Sequence, residues 1–239
     1  MQSVAIDIGN TGSKYGIFER GILVKQAYFE DREKLPQALL NQTFDHAIVS
    51  SVAGNAHTIK ERLAVSGNFI KLSAQTALPF TSLYKTPETL GADRKAGVAG
   101  AAYFFEGRNC LVIDAGTCIT YDFLDSSGRY HGGGISPGLD MKFKALHTFT
   151  GRLPLIQRVN NAFPLTGQST QESIQSGVQA GTIAEIEGII SAHTQKAGNL
   201  VVILCGGDAG FFESKLKQPI FVIPELVLIG LYRILTYNV

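Results

Sequence analysis

Two short aliphatic runs in this chain end in the same residue types. Val4-Ala5-Ile6-Asp7-Ile8-Gly9-Asn10-Thr11 and Leu111-Val112-Ile113-Asp114-Ala115-Gly116-Thr117 each pass from β-branched and aliphatic side chains to an Asp, a Gly and a Thr. Such a run, bounded by a glycine turn, reads as a buried strand. The Asp then stands at the strand's end, where a carboxylate can hold a hydrated divalent cation or orient water. The glycine lets backbone come close to a ligand, and the Thr hydroxyl and the turn's N–H groups can meet phosphate oxygens. One such turn arises by chance in many α/β proteins. Two of them, with Asp7 and Asp114 107 positions apart, each open about half of the chain and predict two related halves closing on one nucleotide.

The elements that must position these residues follow from periodicity. Val4–Ile8 is a strand, and Tyr15–Glu19 with Ile22–Phe29 forms a hairpin through Arg20-Gly21. Arg32–Asn41 and Ala56–Ala64 read as helices, His46–Val52 and Phe69–Leu72 as strands, a mixed-sheet α/β pattern. Ser73–Thr89, with Pro79 and Pro87, lacks a period and reads as an ordered loop leading to a site. Gly91-Ala92-Asp93-Arg94 then opens a small-residue helix, Lys95–Phe105. On local sequence Asp93 is a helix-capping carboxylate, a role that does not exclude chemistry.

The second half restarts the pattern with strands Cys110–Asp114 and Cys118–Leu124, a turn at Ser126-Ser127-Gly128, and a strand Arg129–Ile135. Gly132-Gly133-Gly134 would weaken an ordinary strand and implies backbone lying against a ligand or another backbone. Leu139–Thr148 is a helix and Thr150–Thr166 is irregular. Thr170–Ala197 is helical with a break expected near Gly181, Leu200–Leu204 is a strand ending in Cys205-Gly206-Gly207-Asp208, and Pro224–Leu235 is an amphipathic helix. The repeat sets a boundary near Gly107-Arg108-Asn109.

Composition is consistent with this and excludes other classes. The 239 residues suffice for two small domains or one large one, and 45% hydrophobic with 17% charged residues argues against disorder. A net charge of +1 gives no reason to expect nucleic acid or a membrane surface as partner. Runs such as Leu200 to Cys205 are far shorter than the ~20 residues of a membrane span. The chain enters a strand at once, with no basic region or cleavage site, so a cytoplasmic location is expected. Cys110, Cys118 and Cys205 lack metal-ligand spacing and read as buried reduced thiols. His46, His57, His131, His147 and His193 show no ligand spacing either. Neither a G-x-x-x-x-G-K-[ST] run nor a strand followed by G-x-G-x-x-G is present, which disfavours P-loop ATPases and Rossmann dehydrogenases.

The chain resembles the type III pantothenate kinases, in the superfamily of acetate and sugar kinases, actin and the heat-shock chaperone ATPases. The resemblance runs over nearly the whole chain. It rests on Asp7-Ile8-Gly9-Asn10-Thr11-Gly12-Ser13-Lys14, Tyr84-x-x-Pro87-x-x-x-Gly91-Ala92-Asp93-Arg94 and Asp114-Ala115-Gly116-Thr117. It continues through Gly133-Gly134-Ile135-Ser136-Pro137-Gly138, Ala145-Leu146-His147 with Leu153-Pro154, Thr170-x-x-Ser173-Ile174-x-x-Gly177, and Gly206-Gly207-Asp208. The first and third segments are shared across the superfamily, whereas Gly-Ala-Asp-Arg in this order is more specific. Cys118 and Cys205 stand where the family more often has Ala and Thr.

The resemblance implies two ribonuclease H-like domains, 1–108 and 109–239, with mixed sheets flanked by helices in an actin-like ATPase architecture. It implies ATP-dependent phosphorylation of the pantothenate hydroxyl, the first step toward coenzyme A, in a homodimer that coenzyme A does not inhibit. On that footing Asp7 holds Mg²⁺ through water, while Gly9, Asn10, Thr11 and Lys14 meet phosphates. Thr117 and the Gly206-Gly207 turn meet ATP, and Asp114 is the ligand of a monovalent cation, K⁺ or NH₄⁺. Asp93 is the candidate general base, and Arg94 a forked partner for the substrate carboxylate or a phosphate. Tyr84, Gly91, Ala92 and Thr170 match substrate positions. Locally, Lys14 reads as a solvated strand-end lysine, and Tyr84 equally as loop packing; the helix after Arg94 could pack at the subunit interface. A kinase of another small hydroxy compound and a non-catalytic nucleotide-binding regulator are the alternatives.

Overall fold

The computed structural model describes residues 1–9, 12–29, 36–51 and 56–239. By contact the chain forms two compact units. The first takes Met1–Gly107, Leu124–Gly132 and Glu225–Val239, and the second takes Arg108–Phe123 and Gly133–Pro224. The chain thus re-enters the first unit twice, through the turn after Phe123 and through the last helix, where sequence suggests a single boundary.

The first unit holds β1 (Gln2–Ile8), β2 (Ser13–Glu19), β3 (Ile22–Phe29), α1 (Gln37–Leu40), β4 (Thr43–Phe44), β5 (His46–Ser51), α2 (Ala56–Arg62), β6 (Ala64–Val65), β7 (Phe69–Lys71), β8 (Thr81–Ser82) and α3 (Ala92–Phe104). Residues 30–35, most of the first half of the helix expected over Arg32–Asn41, and Val52 lie outside the described residues. The main sheet has the order β3-β2-β1-β5-β7, with β1 antiparallel to β2 and parallel to β5. Arg20 (φ 49°) and Gly21 (φ 89°) both adopt positive φ, the backbone of a type I′ hairpin turn.

Strand alternation divides this unit's core into two layers. Val4, Ile6 and Ile8 pack with Leu39, Ile59 and Leu63 on one face of the sheet. Ala5 and Ile48 face the other way, toward α3 and the last helix, so Asp7 is directed to the same side as Ala5.

The second unit contains β9 (Asn109–Ala115), β10 (Cys118–Leu124), β11 (Arg129–Pro137), α4 (Leu139–Thr148), α5 (Thr170–Ala197), β12 (Leu200–Cys205), α6 (Ala209–Glu213) and β13 (Phe221–Val222); α7 (Leu226–Tyr237) closes the chain in the first unit. The sheet runs β13-β12-β9-β10-β11, and the first residues of β11 pair with β8 within the first unit. Leu111, Ile113, Ile119, Phe143, Ile186 and Leu204 belong to one core cluster. The 28-residue helix α5 is continuous through Gly181, contrary to the expected break. A Cβ at Gly181 would meet open space, so that glycine costs helix propensity, about 1 kcal/mol, without a clash that could end the helix. Ser169 caps α5 by accepting from the Glu172 N–H.

The irregular residues 150–169 are ordered by glutamines of α5. Gln179 bonds both the N–H and the carbonyl of Val159, and Gln175 donates to the Gln157 carbonyl.

Helix α7 departs from the amphipathic reading. Eight of its residues, Leu226, Val227, Leu228, Gly230, Leu231, Tyr232, Ile234 and Leu235, are buried. It packs against the small-residue face of α3, where a side chain at Gly230 would run into the Ala96 carbonyl and one at Gly100 into Leu226. Phe18 stacks on Tyr232 at 4.2 Å, and the Arg233 guanidinium lies 3.3 Å from the Tyr103 ring centre. That face of α3 is therefore filled from within the chain. Gly230→Ala should lower stability by about 1–3 kcal/mol through overpacking. The change is read as a lower urea midpoint at unchanged slope.

Candidate active site

Sheet register builds the first group of chemical side chains. Asp7 lies opposite Lys14 on β2 and in parallel register with Ser50 on β5. The Lys14 ammonium stands 4.0 Å from the Asp7 carboxylate, whose side chain is 14% exposed. Burial pushes the Asp7 pKa up, Lys14 pulls it down, Asp93 pushes it up again and a Ser50 hydrogen bond pulls it down; the net direction is upward. Gly9 donates to the Gly12 carbonyl at 3.0 Å and closes the turn. Asn10 and Thr11 lie outside the described residues.

Helix α3 supplies the second group. Its N-cap is Gly91, so Asp93 sits inside the first turn rather than at the cap, and the helix begins earlier than Lys95. The Asp93 carboxylate accepts the Arg94 N–H at 2.8 Å, a carboxylate at the positive end of a helix. Gly91 has no room for a side chain because Asp93 folds over it. Arg94 is buried, with its guanidinium 5.6 Å from the Tyr84 ring centre. Tyr84 in turn lies near-parallel to Tyr130 at 6.2 Å and against Gly132. Packing and proximity to Arg94 are thus both true of Tyr84.

Two residues here escaped the sequence reading. Ser50 becomes relevant only through the β1–β5 register, which a linear pattern does not carry. Lys95 is 4% exposed and donates to the Ser73 carbonyl at 3.2 Å, tying the proline-containing segment to α3; burial lowers its pKa, against an upward pull from Glu88. A lysine on the small-residue stripe of an otherwise apolar helix was the available signal.

The second unit assembles its own glycine turns. Gly116 donates to the Cys118 carbonyl at 2.9 Å, and Gly138, the N-cap of α4, donates to the Thr117 carbonyl at 3.1 Å. Asp114 is in register with Cys205 of β12. Gly206 follows with φ 90°, and its missing Cβ leaves the space that Asp114 Oδ1 and the Ala115 carbonyl occupy. Both its conformation and its neighbours require glycine. Asp208 donates its N–H to the Ala115 carbonyl at 2.9 Å, and its carboxylate pairs with Arg158. Thr117 is exposed, as is Thr170 at the first position of α5. Gly133 lies against the Tyr121 carbonyl of the neighbouring strand, so another backbone accounts for glycine there.

Cys110 and Cys205 are buried, and burial pushes the Cys110 thiol up to about 11. Among the described residues no group of three or more His, Cys, Asp or Glu side chains could hold a metal, and no helix is long and apolar enough to cross a membrane.

Solved structures share this architecture. A conserved protein of the Baf transcriptional-activator family from Campylobacter jejuni aligns at TM-score 0.63 and 24% identity over 98% of each chain. The activator of 2-hydroxyisocaproyl-CoA dehydratase from Clostridium difficile, solved with ADPNP, aligns at 0.55 and 15% identity over 100% of this chain and 94% of its own. An inorganic polyphosphate/ATP-glucomannokinase from Arthrobacter aligns at 0.51 and 14% identity, over 100% and 99%. The fold is that of the actin-like ATPases, with mixed sheets flanked by helices.

Residues 3–192 match the family model of the type III pantothenate kinases. Type III pantothenate kinases from Phocaeicola vulgatus and Cytophaga hutchinsonii are each 44% identical to this chain over 99% of its length, and over 98% and 100% of theirs. The chain belongs to the type III pantothenate kinase family.

The Asp7 shift has a testable consequence. A carboxyl whose folded pKa is raised adds stability while protonated, and that stability is lost as pH rises through the folded pKa. Above the ordinary carboxyl pKa, where the unfolded chain ionises freely, burial of Asp7 therefore costs stability. Asp7→Asn should raise the thermal midpoint of the ligand-free protein near pH 7.5 by about 2–4 °C per kcal/mol relieved. The gain should vanish only as pH falls below the ordinary carboxyl pKa of the unfolded chain. A lower midpoint at neutral pH would mean that pairing with Lys14 outweighs burial.

Proposed function

We infer that the protein transfers the γ-phosphoryl group of ATP to the hydroxyl of pantothenate, giving 4'-phosphopantothenate, the first step of coenzyme A biosynthesis. The observation that carries this reading is Gly91–Arg94 at the start of α3, with Asp93 acting electrostatically on Asp7, in a chain of this family. Phosphoryl transfer depends on positioning and charge neutralisation more than on covalent chemistry. A kinase of actin-like ATPase fold uses ATP with a divalent metal. The residues suit Mg²⁺, because Asp7 is a buried carboxylate destabilised by burial and by Asp93 and only partly offset by Lys14. Mg²⁺ typically takes one or two carboxylates together with substrate phosphates. Bound there, it would neutralise phosphate charge.

In this reading Gly9, Asn10, Thr11 and Lys14 meet the phosphates in the first unit, and Thr117, Gly206 and Gly207 meet ATP in the second. Asp93 accepts the hydroxyl proton as that oxygen bonds to the γ-phosphorus; the bond to the bridging oxygen breaks and ADP leaves. Arg94 pairs with the pantothenate carboxylate, beside Tyr84, Gly91 and Ala92, and Thr170 contributes as a further substrate contact. Asp114 and the Ala115 carbonyl, both crowding Gly206, form an oxygen-only set suited to K⁺ or NH₄⁺. Two ribonuclease H-like halves dividing near residue 108, with Glu225–Val239 returning to the first, a homodimer and a cytoplasmic location complete the proposal, and the buried thiols support the last.

A coupled ADP-release assay with ATP, Mg²⁺ and pantothenate, run in sodium and then in potassium buffer, tests it. Turnover should require pantothenate and rise with potassium. Release with other acceptors alone would make the chain a kinase of another small hydroxy compound, and ATP binding without release a regulator.

In the same assay Asp93→Asn should keep the fold and nucleotide binding but lose about 10²–10⁴-fold in turnover. Near-normal turnover would remove the general-base role. Asp114→Asn should move the potassium titration to higher concentration, and an unchanged titration would remove the cation role.

A further inference from the structure

The register that joins Ser50, Asp7 and Lys14 continues to the edge strand, because Lys14 lies opposite Tyr28 of β3. Residues in register on neighbouring strands point to the same face of a sheet, so these four side chains form one row across four strands. The row stands at the end of β1, where the Gly9–Gly12 turn leaves the sheet. Tyr28 leans along that face toward the turn. A Cβ built on Gly12 would fall on the Tyr28 hydroxyl and the adjoining ring carbons, so the phenol end lies directly over the Gly12 backbone. The side chain is nonetheless well exposed, 61% by area.

A large aromatic residue on an exposed edge strand is often a packing or solubility compromise. Tyr28 is unusual in that its polar atom is held beside the turn and on the same side as the Lys14 ammonium. We propose that Tyr28 is a nucleotide-binding residue whose hydroxyl donates a hydrogen bond to a phosphate oxygen of the nucleotide, next to Lys14. The ammonium supplies a point charge, and the phenol adds a directional donor that fixes the phosphate's orientation. The missing side chain at Gly12 then serves two ends, since it lets the turn approach phosphate and leaves room for the phenol.

The proposal rests on the kinase reading, and the test separates the two. Tyr28→Phe keeps the ring over Gly12 and removes only the hydroxyl. Equilibrium binding of Mg²⁺–ADP and of adenosine is measured for wild type and variant, together with thermal midpoints. ADP affinity should fall about tenfold, the effect of one hydrogen bond to a charged group, while adenosine affinity and the midpoint stay unchanged. Unchanged ADP affinity would overturn the assignment. So would an equal loss for ADP and adenosine, because that pattern marks a ring that merely shapes the turn. Wild-type protein that binds no ADP would instead overturn the kinase reading on which the assignment stands.

Discussion

Asp7 is a carboxylate withdrawn from water at the end of a central strand, with a second carboxylate acting on it from the start of a helix. In an isolated fold such an arrangement is unfavourable, because burial and like charge both oppose ionisation. Much of the first unit's construction follows from accepting it. Lys14 must face Asp7 across the hairpin, which fixes the β1–β2 register. Ser50 must reach it from β5, and α3 must begin with small residues so that Asp93 can approach. The long apolar α7 then holds α3 onto the sheet by backbone-level contact at Gly230 and Gly100. Destabilisation of this kind at a site is offset by packing elsewhere, here on the same face of the same sheet.

Glycine in this chain marks where backbone touches backbone as much as where backbone could touch a ligand. Gly206 is confined by its positive φ and by the Asp114 carboxylate, the proposed cation ligand. Gly230 and Gly133 are confined by carbonyls of neighbouring elements and have no such role. A sequence shows the same letter in each case. Only the neighbours distinguish a phosphate-facing turn from a tight helix crossing.

That distinction explains what could be read in advance. Strand ends at Asp7 and Asp114, the Arg20-Gly21 hairpin and α4 depend on local chemistry, and they were legible. The family motifs suggest roles for Asp93, Arg94 and Tyr84 that local sequence does not, since a first-turn aspartate reads as a capping group whatever else it does. Ser50, Lys95 and Tyr28 were missed because their relevance arises from register and burial across distant segments. The affiliation of α7 with the first unit was missed for the same reason: its partner α3 lies more than 120 positions earlier. The continuity of α5 through Gly181 was missed because an exposed glycine lowers helix propensity without supplying a terminus.

The second unit meets its own constraint by a different route, with paired rather than opposed charges. Glu185 of α5 accepts from the Tyr121 hydroxyl at 2.7 Å and from the Lys142 ammonium at 2.6 Å, and Lys142 also reaches Thr182 at 3.0 Å. Burial alone would raise the Glu185 pKa; hydrogen bonds from Lys142, Tyr121 and Ser136 outweigh it and bring the pKa down. These donors come from α4, β10 and β11, so one carboxylate ties three elements to α5. Lys142 also donates its backbone N–H to the carbonyl of Gly138, which bonds the Thr117 carbonyl. The glycine turn at Asp114–Thr117 is thus fixed from behind by a satisfied polar network, whereas Asp7 is only partly compensated by Lys14 and Ser50. A divalent metal has most to gain where charge remains uncompensated, which supports the proposal that puts it at the first unit's aspartate.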